Sequence, residues 1–366
     1  MKTIISLYLC PILAGISLTH TQAAERTKLY VCPACGCPAD DRTFYKPGKC
    51  PECGMDLIEK SDQKNPTVAI LLFDGAEVID YAGPWEVFGQ AGFKIFTVAE
   101  NSKQIDAVFG QKIISDYTFA TAPAADIVLV PGGRGSRTAM QNSALIKWLQ
   151  QRAQSSDHVM SVCTGALILA KAGLLEGLSA TTFHDAIDLL AQVAPKTRVV
   201  SNQRYVDNGK IITTAGLSSG IDGALHLVSK IKGKGSAQAT ALTLEYQWDP
   251  DGKFARAALA DRYFKIDNLA GEVLSTDGDT SRWQFQALVS KPDSSAAILD
   301  VVRKQVANGT PHARSVTMVS TDGNANQIGW KFVDEQGHDW NGSASVEQSN
   351  ERGKFVVTVR LARQSS

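Results

Sequence analysis

The chain has 366 residues, of which 44% are apolar and 20% charged, with 37 Lys and Arg balancing 37 Asp and Glu. That balance excludes a basic field for tracking a phosphate backbone, and with it a nucleic-acid partner, and it equally excludes an acidic disordered chain. At roughly 150 residues per domain the length allows about two to three domains. Seven cysteines are too few to staple a chain of this size, yet five of them fall between Cys32 and Cys53.

Residues 1–24 read as a secretory signal. Lys2 supplies a basic start, Ile4 to Leu18 is uncharged and short for a membrane span, and Thr21-Gln22-Ala23-Ala24 offers small residues for cleavage before Glu25. The expectation is a periplasmic or secreted protein, in an oxidising compartment and with no membrane contact after cleavage. Residues 26–60 follow as a Cys-rich module. Cys32-Pro33-Ala34-Cys35 and Cys50-Pro51-Glu52-Cys53 form two Cys-x-x-Cys pairs. Each pair is a knuckle that lets two thiolates hold one ion, so Cys32, Cys35, Cys50 and Cys53 are the expected metal ligands. Soft thiolates select zinc, iron or cuprous copper, and a module of about 35 residues needs such a staple to fold. Two disulfides are the alternative staple, and Cys37 is left over in either scheme.

A polar linker, residues 61–66, precedes a different pattern. Apolar runs at Val68–Phe73, Lys94–Ala99, Asp126–Val130 and Val159–Val162 predict strands buried on both faces. Helical patterns at Ala144–Gln154 and Gly165–Leu175 lie between or after them. This alternation predicts an α/β fold with a parallel sheet covered on both sides. A further helix is expected over Ala237–Gln247. From about Leu269 a helix at Ser294–Ala307 and strands at Ser315–Ser320, Gln327–Val333, Ser343–Gln348 and Lys354–Leu361 predict a small α+β domain, residues 265–366, of unstated role. There Trp283, Trp330 and Trp340 read as core, and His312 and His338 as isolated.

Cys163 stands where the fourth strand runs straight into a helix, in Ser161-Val162-Cys163-Thr164-Gly165-Ala166. Such a turn places a side chain at the carboxyl edge of a parallel sheet, where ligands bind. A helix N-terminus behind it is expected to lower the thiol pKa, which makes Cys163 the candidate nucleophile. The alternative is a small buried core residue.

Two resemblances extend these readings. Tyr30-Val31-Cys32-Pro33, with Pro47-Gly48-Lys49-Cys50-Pro51-Glu52-Cys53-Gly54-Met55-Asp56-Leu57, resembles the heavy-metal-binding domain of copper-transport proteins. That family usually has Met-His after its first Cys-Pro. Ala34-Cys35 stands here instead, which favours zinc, with copper the other candidate. Residues 67–247 resemble the DJ-1/PfpI superfamily, class I glutamine amidotransferase-like, in its branch of isonitrile hydratase and AraC-amidase-like domains. The motifs are Asp80-Tyr81-Ala82-Gly83-Pro84-Trp85-Glu86, Pro131-Gly132-Gly133, Val162-Cys163-Thr164-Gly165-Ala166 and Thr214-Ala215-Gly216-Leu217-Ser218-Ser219-Gly220.

The second resemblance implies a flavodoxin-like sandwich with Cys163 on a strained elbow and no cofactor in the central domain. It implies that Asp80 faces the cysteine and moves its proton, that Thr164 places water, and that the N–H groups of Gly133 and Thr164 stabilise developing charge. It also implies a small-molecule substrate and a homodimer. The bland role for Asp80 is a helix N-cap. Thr164 fills the position where protease-like members place His, which disfavours peptidase chemistry. Thr182-Phe183-His184-Asp185 departs from the branch's Thr-Thr-His-Trp, so His184 stands between a structural and a site role. No helix-turn-helix pattern follows, which excludes a transcription factor. The sequence reading is an exported cysteine-dependent hydratase or amidase with a metal-binding module; the alternative is a non-enzymatic metal-trafficking or stress-response protein.

Overall fold

The computed structural model describes residues 28–33, 37–39, 42–60, 65–101, 104–252, 254–264, 271–310, 312–320, 323 and 325–364. The expected signal, residues 1–24, lies outside them. The chain divides into two compact units, residues 1–63 and 64–366.

In the first unit, strand Tyr30–Val31 pairs antiparallel with both Thr43–Phe44 and Ile58–Glu59. Its core is Cys32, Ala39 and Cys50, with Cys37, Phe44 and Leu57 packed against them. So few apolar groups cannot offset the conformational entropy of the module, so its folding needs a cross-link or an ion.

The second unit is built on a seven-stranded sheet. Its strands are β1 (Thr67–Leu71), β2 (Lys94–Ala99), β3 (Tyr117–Thr118), β4 (Ile127–Val130), β5 (His158–Val162), β6 (Tyr205–Asp207) and β7 (Ile211–Thr214), in the order β6-β7-β5-β4-β1-β2-β3. All neighbouring strands are parallel except β6, which pairs antiparallel with β7. Every residue of β4 and of β7 is buried, as the continuous apolar runs require of strands covered on both faces. From β1 the chain moves outward to β2 in one direction, and it later fills β4, β5 and β7 in the other. The crevice between the carboxyl ends of β1 and β4 is therefore the topological switch point.

Helices cover the sheet by burying one stripe each. In α1 (Val78–Gln90) Tyr81, Pro84, Val87 and Phe88 are buried. In α2 (Ser143–Ser155) the buried set is Leu145, Trp148, Leu149 and Ala153, and Asn142 caps the helix by accepting from the N–H groups of Ala144 and Leu145 at 2.9 and 3.2 Å. Helix α3 (Gly165–Lys171) is shorter than the sequence pattern. Gly173, at φ +75°, turns the chain left-handed, and Leu174 N–H donates to Leu169 O at 3.0 Å. Helix α4 (Ser218–Lys232) follows β7, and α5 (Lys234–Thr243) packs against it.

The same unit carries a second core. Strands β8 (Gly271–Gly278), β9 (Arg282–Val289), β10 (Ala313–Val319), β11 (Gln327–Asp334), β12 (Asp339–Gln348) and β13 (Phe355–Arg363) form an antiparallel sheet in the order β8-β9-β13-β12-β11-β10. Helix α6 (Ser295–Asn308) packs on it through Ile298, Leu299, Val302 and Val306. Trp283, Trp330 and Trp340 are core residues, as expected. The β8–β9 hairpin escapes the sequence reading because β8 is exposed along nearly its whole length and shows no alternation. His312 and His338 are not isolated. His312 Nδ1 lies 2.8 Å from Glu335 and 2.9 Å from Arg262, and His338 Nδ1 lies 2.9 Å from Asp334. Among the described residues no helix is long and apolar enough to cross a membrane.

The turn from β5 into α3 leaves no room at Gly165. A Cβ there would stand 2.2 Å from Val130 O and 2.9 Å from Pro131 O, both backbone atoms that cannot swing away. Gly165→Ala should therefore cost about 2–4 kcal/mol of unfolding free energy in urea titration; a variant as stable as the parent would show that this turn is slack.

Candidate active site and candidate metal centre

Three loops meet at the switch point. Each leaves the carboxyl end of a buried strand: β1 leads to α1, β4 to the Pro131-Gly132-Gly133 turn, and β5 to α3. Cys163 sits on the third at φ +57°. A left-handed conformation is costly for a residue with a side chain, and strain of this kind persists only where the surroundings impose it. Cys163 N–H donates to Thr214 O at 3.1 Å, and its carbonyl accepts from Thr182 Oγ1 at 2.9 Å. Thr182 thus pins the elbow, a role the sequence motif did not disclose.

Asp80 is not the N-cap of α1. Glu77 holds that position, and Asp80 lies in the first turn with its side chain directed at the other loops. Its Oδ2 accepts from Gly132 N–H and its Oδ1 from Leu217 N–H, each at 3.1 Å. Asp80 and the Cys163 thiol also act on one another's proton affinity. The two residues expected to face each other thus lie in one buried site. Leu217 is itself left-handed at φ +51°, so two strained residues flank one carboxylate.

Burial sets the proton affinities. Asp80 is fully buried, and desolvation pushes its carboxyl up to about 7 against the pull of the two backbone N–H groups and the thiol. Cys163 is 5% exposed. Desolvation first, and then the Asp80 charge, push its thiol up; the N–H and hydroxyl of Thr164 pull the other way. The expectation of a thiol made acidic by the helix behind it is corrected. Helix α3 is short, and the sulfur is out of water and beside a carboxylate. The resting thiol is therefore neutral.

Thr164 and Gly133 are drawn together differently from the expected arrangement. Gly133 N–H donates to Thr164 Oγ1 at 3.0 Å, and Ser136 Oγ donates to the same oxygen at 2.9 Å while standing 2.7 Å from Gly133 O. The Gly133 donor thus faces the threonine, and the Thr164 hydroxyl belongs to a closed network beside the sulfur. Ser136, fully buried at the start of a one-turn helix, is a site residue that the motifs passed over. Its only sequence signal is its place three residues after Gly133.

A cavity of about 320 Å³ opens beside the elbow, lined in part by Phe183, His184, Leu217 and Ser218. His184 therefore faces the cavity. Burial and the nearby Arg256 charge hold its imidazole below the usual histidine range, so it is neutral there.

The described sulfurs of the first unit form a second cluster. The Sγ atoms of Cys32, Cys37, Cys50 and Cys53 lie within 4.8 Å of one another. Cys32 to Cys53 is 3.4 Å, Cys37 to Cys50 is 3.8 Å and Cys32 to Cys37 is 3.9 Å. Four sulfurs about 2.3 Å from a tetrahedral ion stand roughly 3.8 Å apart, whereas a disulfide needs about 2.05 Å. The separations fit one thiophilic ion. Cys37, left over in the sequence reading, belongs to this set; Cys35 lies outside the described residues.

Comparison with known proteins places both units. Residues 66–230 match the DJ-1/PfpI family, and residues 29–60 match the heavy metal binding domain. Isonitrile hydratase of Pseudomonas putida is 32% identical over 183 residues, covering 49% of this chain and 78% of that protein. The HTH-type transcriptional regulator GbdR of Pseudomonas aeruginosa is 25% identical over 213 residues, covering 56% of this chain and 55% of the regulator. A crystal structure of a ThiJ/PfpI family protein from Pseudomonas syringae aligns with a TM-score of 0.48 at 30% identity, covering 52% of this chain and 78% of that one.

The raised Asp80 carboxyl has a consequence for stability. Below about pH 4 both folded and unfolded chains hold its proton and nothing is lost. Between about 4 and 7 only the unfolded chain ionises, so stability falls as pH rises. Asp80→Asn has no such proton. Measured by paired denaturant titrations, its stability relative to the parent should climb by on the order of 3 kcal/mol from pH 4 to pH 7.5. A difference that stays flat with pH would mean that the carboxyl ionises as an ordinary surface group.

Proposed function

Because this chain belongs to the DJ-1/PfpI family and carries a heavy metal binding domain ahead of that fold, we propose that it is an exported cysteine-dependent hydratase of small organic molecules, with isonitriles as its substrate class, and that its cysteine module holds one zinc ion. The observation that carries the reading is the buried thiol of Cys163, held on a left-handed elbow within the field of the buried Asp80 carboxyl. The likeness to isonitrile hydratase supports the substrate class. The composition of residues 1–24 supports export.

An isonitrile carbon needs both a proton and a nucleophile, and a neutral thiol paired with a base supplies the two together. Asp80 takes the thiol proton as the sulfur attacks and returns it to the terminal carbon, giving a thioimidate, R–N=CH–S–Cys163. Asp80 then takes a proton from water as the water oxygen adds to that carbon, and passes it to the nitrogen, giving R–NH–CH(OH)–S–Cys163. Collapse breaks the C–S bond, and Asp80 carries the hydroxyl proton to the departing sulfur, which releases R–NH–CHO and leaves the thiol protonated again. The net change is addition of one water. The backbone N–H of Thr164, which favours the ionised form of the sulfur, stabilises the thiolate character that develops and fades in each half. Ser136 and Gly133 hold the Thr164 hydroxyl in place, which keeps the sulfur's polar neighbours fixed.

In the cysteine module, Cys32, Cys37, Cys50 and Cys53 would hold the ion, and four thiolates make the site closed, as in structural zinc centres. Such an ion supplies folding free energy and no open coordination position. Its place in a compact unit of its own favours a role separate from the chemistry at Cys163.

Cys163→Ser should lower formation of the N-substituted formamide from an aliphatic isonitrile by at least about 10³-fold. Unchanged turnover would discard the assignment. The same variant should still carry one zinc per chain by elemental analysis, whereas Cys37→Ser should lose most of it on dialysis. Full retention by Cys37→Ser would remove that residue from the ligand set.

A further inference from the structure

We propose that Phe254 and Arg256, which lie beyond the family-matched residues 66–230, set the specificity of this site and make its cavity a receptor for a compact organic anion, a carboxylate above all. The inference rests on the reading of Cys163 as the nucleophile and adds the substrate feature that the wall of the cavity recognises.

The cavity has apolar sides from Phe183, Leu217 and Phe254, and two cations, Arg204 and Arg256, beside the neutral His184. Among the described residues no Asp or Glu lines it. Both arginines have carboxylate partners outside that lining: Arg204 gives its Nε to Asp222, and Arg256 gives both Nη groups to Asp261. The two guanidinium groups are thereby held in place at the wall of the cavity. Cations already fixed have little side-chain entropy left to lose when an anion binds beside them. The volume, about 320 Å³, is at the small end for ligand pockets, which restricts the anion to a compact one.

Arg204 also ties the added wall to the family fold. Its Nη1 donates to Phe254 O at 3.1 Å and its Nη2 to Ser218 Oγ at 3.0 Å, and the neighbouring Tyr205 hydroxyl donates to Pro250 O at 3.1 Å. Gly216, which lines the cavity, stands directly against the elbow. A Cβ there would stand 2.9 Å from the Phe183 ring and 3.3 Å from Cys163 Cβ. Phe254 is 63% exposed, so it contributes little to the core and is free to serve the cavity mouth.

Iodoacetate and iodoacetamide test the charge preference, since they are alike in size and alkylate the same sulfur with loss of iodide. Rates at Cys163 in the full chain are read from its peptide by mass spectrometry. Arg256→Gln should lower the iodoacetate-to-iodoacetamide rate ratio by about three- to tenfold, and Arg256→Lys should keep most of it. Phe254→Ala should raise the rate with N-phenylmaleimide severalfold relative to N-methylmaleimide. An unchanged charge ratio in Arg256→Gln overturns the proposal. If Cys163 resists every reagent until the chain is unfolded, the nucleophile reading fails. The wall is then judged without the sulfur, by the affinities of benzoate and benzamide for the Cys163→Ser chain. A benzoate preference lost in Arg256→Gln sustains the anion receptor, and equal binding of the two overturns it.

Discussion

One constraint organises the family domain: the Asp80 carboxyl and the Cys163 thiol are buried together in a crevice that water barely reaches. Burying a carboxylate is expensive, and this one is sustained by two backbone N–H groups, from Gly132 and Leu217, that arrive on separate loops. Those loops hold their shape at the cost of left-handed backbone at Cys163 and Leu217. The sheet order places the ends of β1, β4 and β5 side by side, so the carboxylate, its amide donors and the sulfur converge without any long excursion of the chain. The proton affinities follow from that convergence. Desolvation raises both groups, and the Asp80 charge raises the thiol further.

The two cysteine environments of this chain are opposites. In the first unit four described sulfurs crowd together, in a module whose apolar core is minute. There the sulfurs are the core, and an ion is the natural source of stability. Cys163, the one described cysteine of the second unit, is buried with an acid in the same site. Its reactivity depends on taking up and giving back a proton. A single reducing or oxidising change in the surroundings would therefore act on the two places by unrelated chemistry.

Much of this was legible along the chain. The apolar runs of β1, β4 and β5 are buried on both faces, and such strands must read as continuous hydrocarbon; β2 is buried only in its second half. The strand-to-helix step at Cys163 and the Pro131-Gly132-Gly133 turn stand out for the same reason: close backbone approach demands glycine. Other parts were silent. Thr182 and Ser136 act through single hydrogen bonds to backbone or hydroxyl groups far away in sequence, and a Thr or Ser in an apolar stretch has no pattern of its own. Strand β8 is exposed along nearly its whole length, so it lacks the alternation that betrays a half-buried strand.

The division into a cysteine module and an α/β fold, and the placing of Cys163 on a turn at the sheet edge, could be read along the chain. These rest on local spacing, periodicity and motif, which are properties of neighbouring residues. Only the tertiary structure decided that Cys37 joins the sulfur cluster, that the thiol is made less acidic rather than more, that Gly133 faces Thr164, and that Phe254 and Arg256 line the cavity. Each of these depends on the distance between groups far apart in the chain, or on how completely water is removed from them, and neither is fixed until the loops have met.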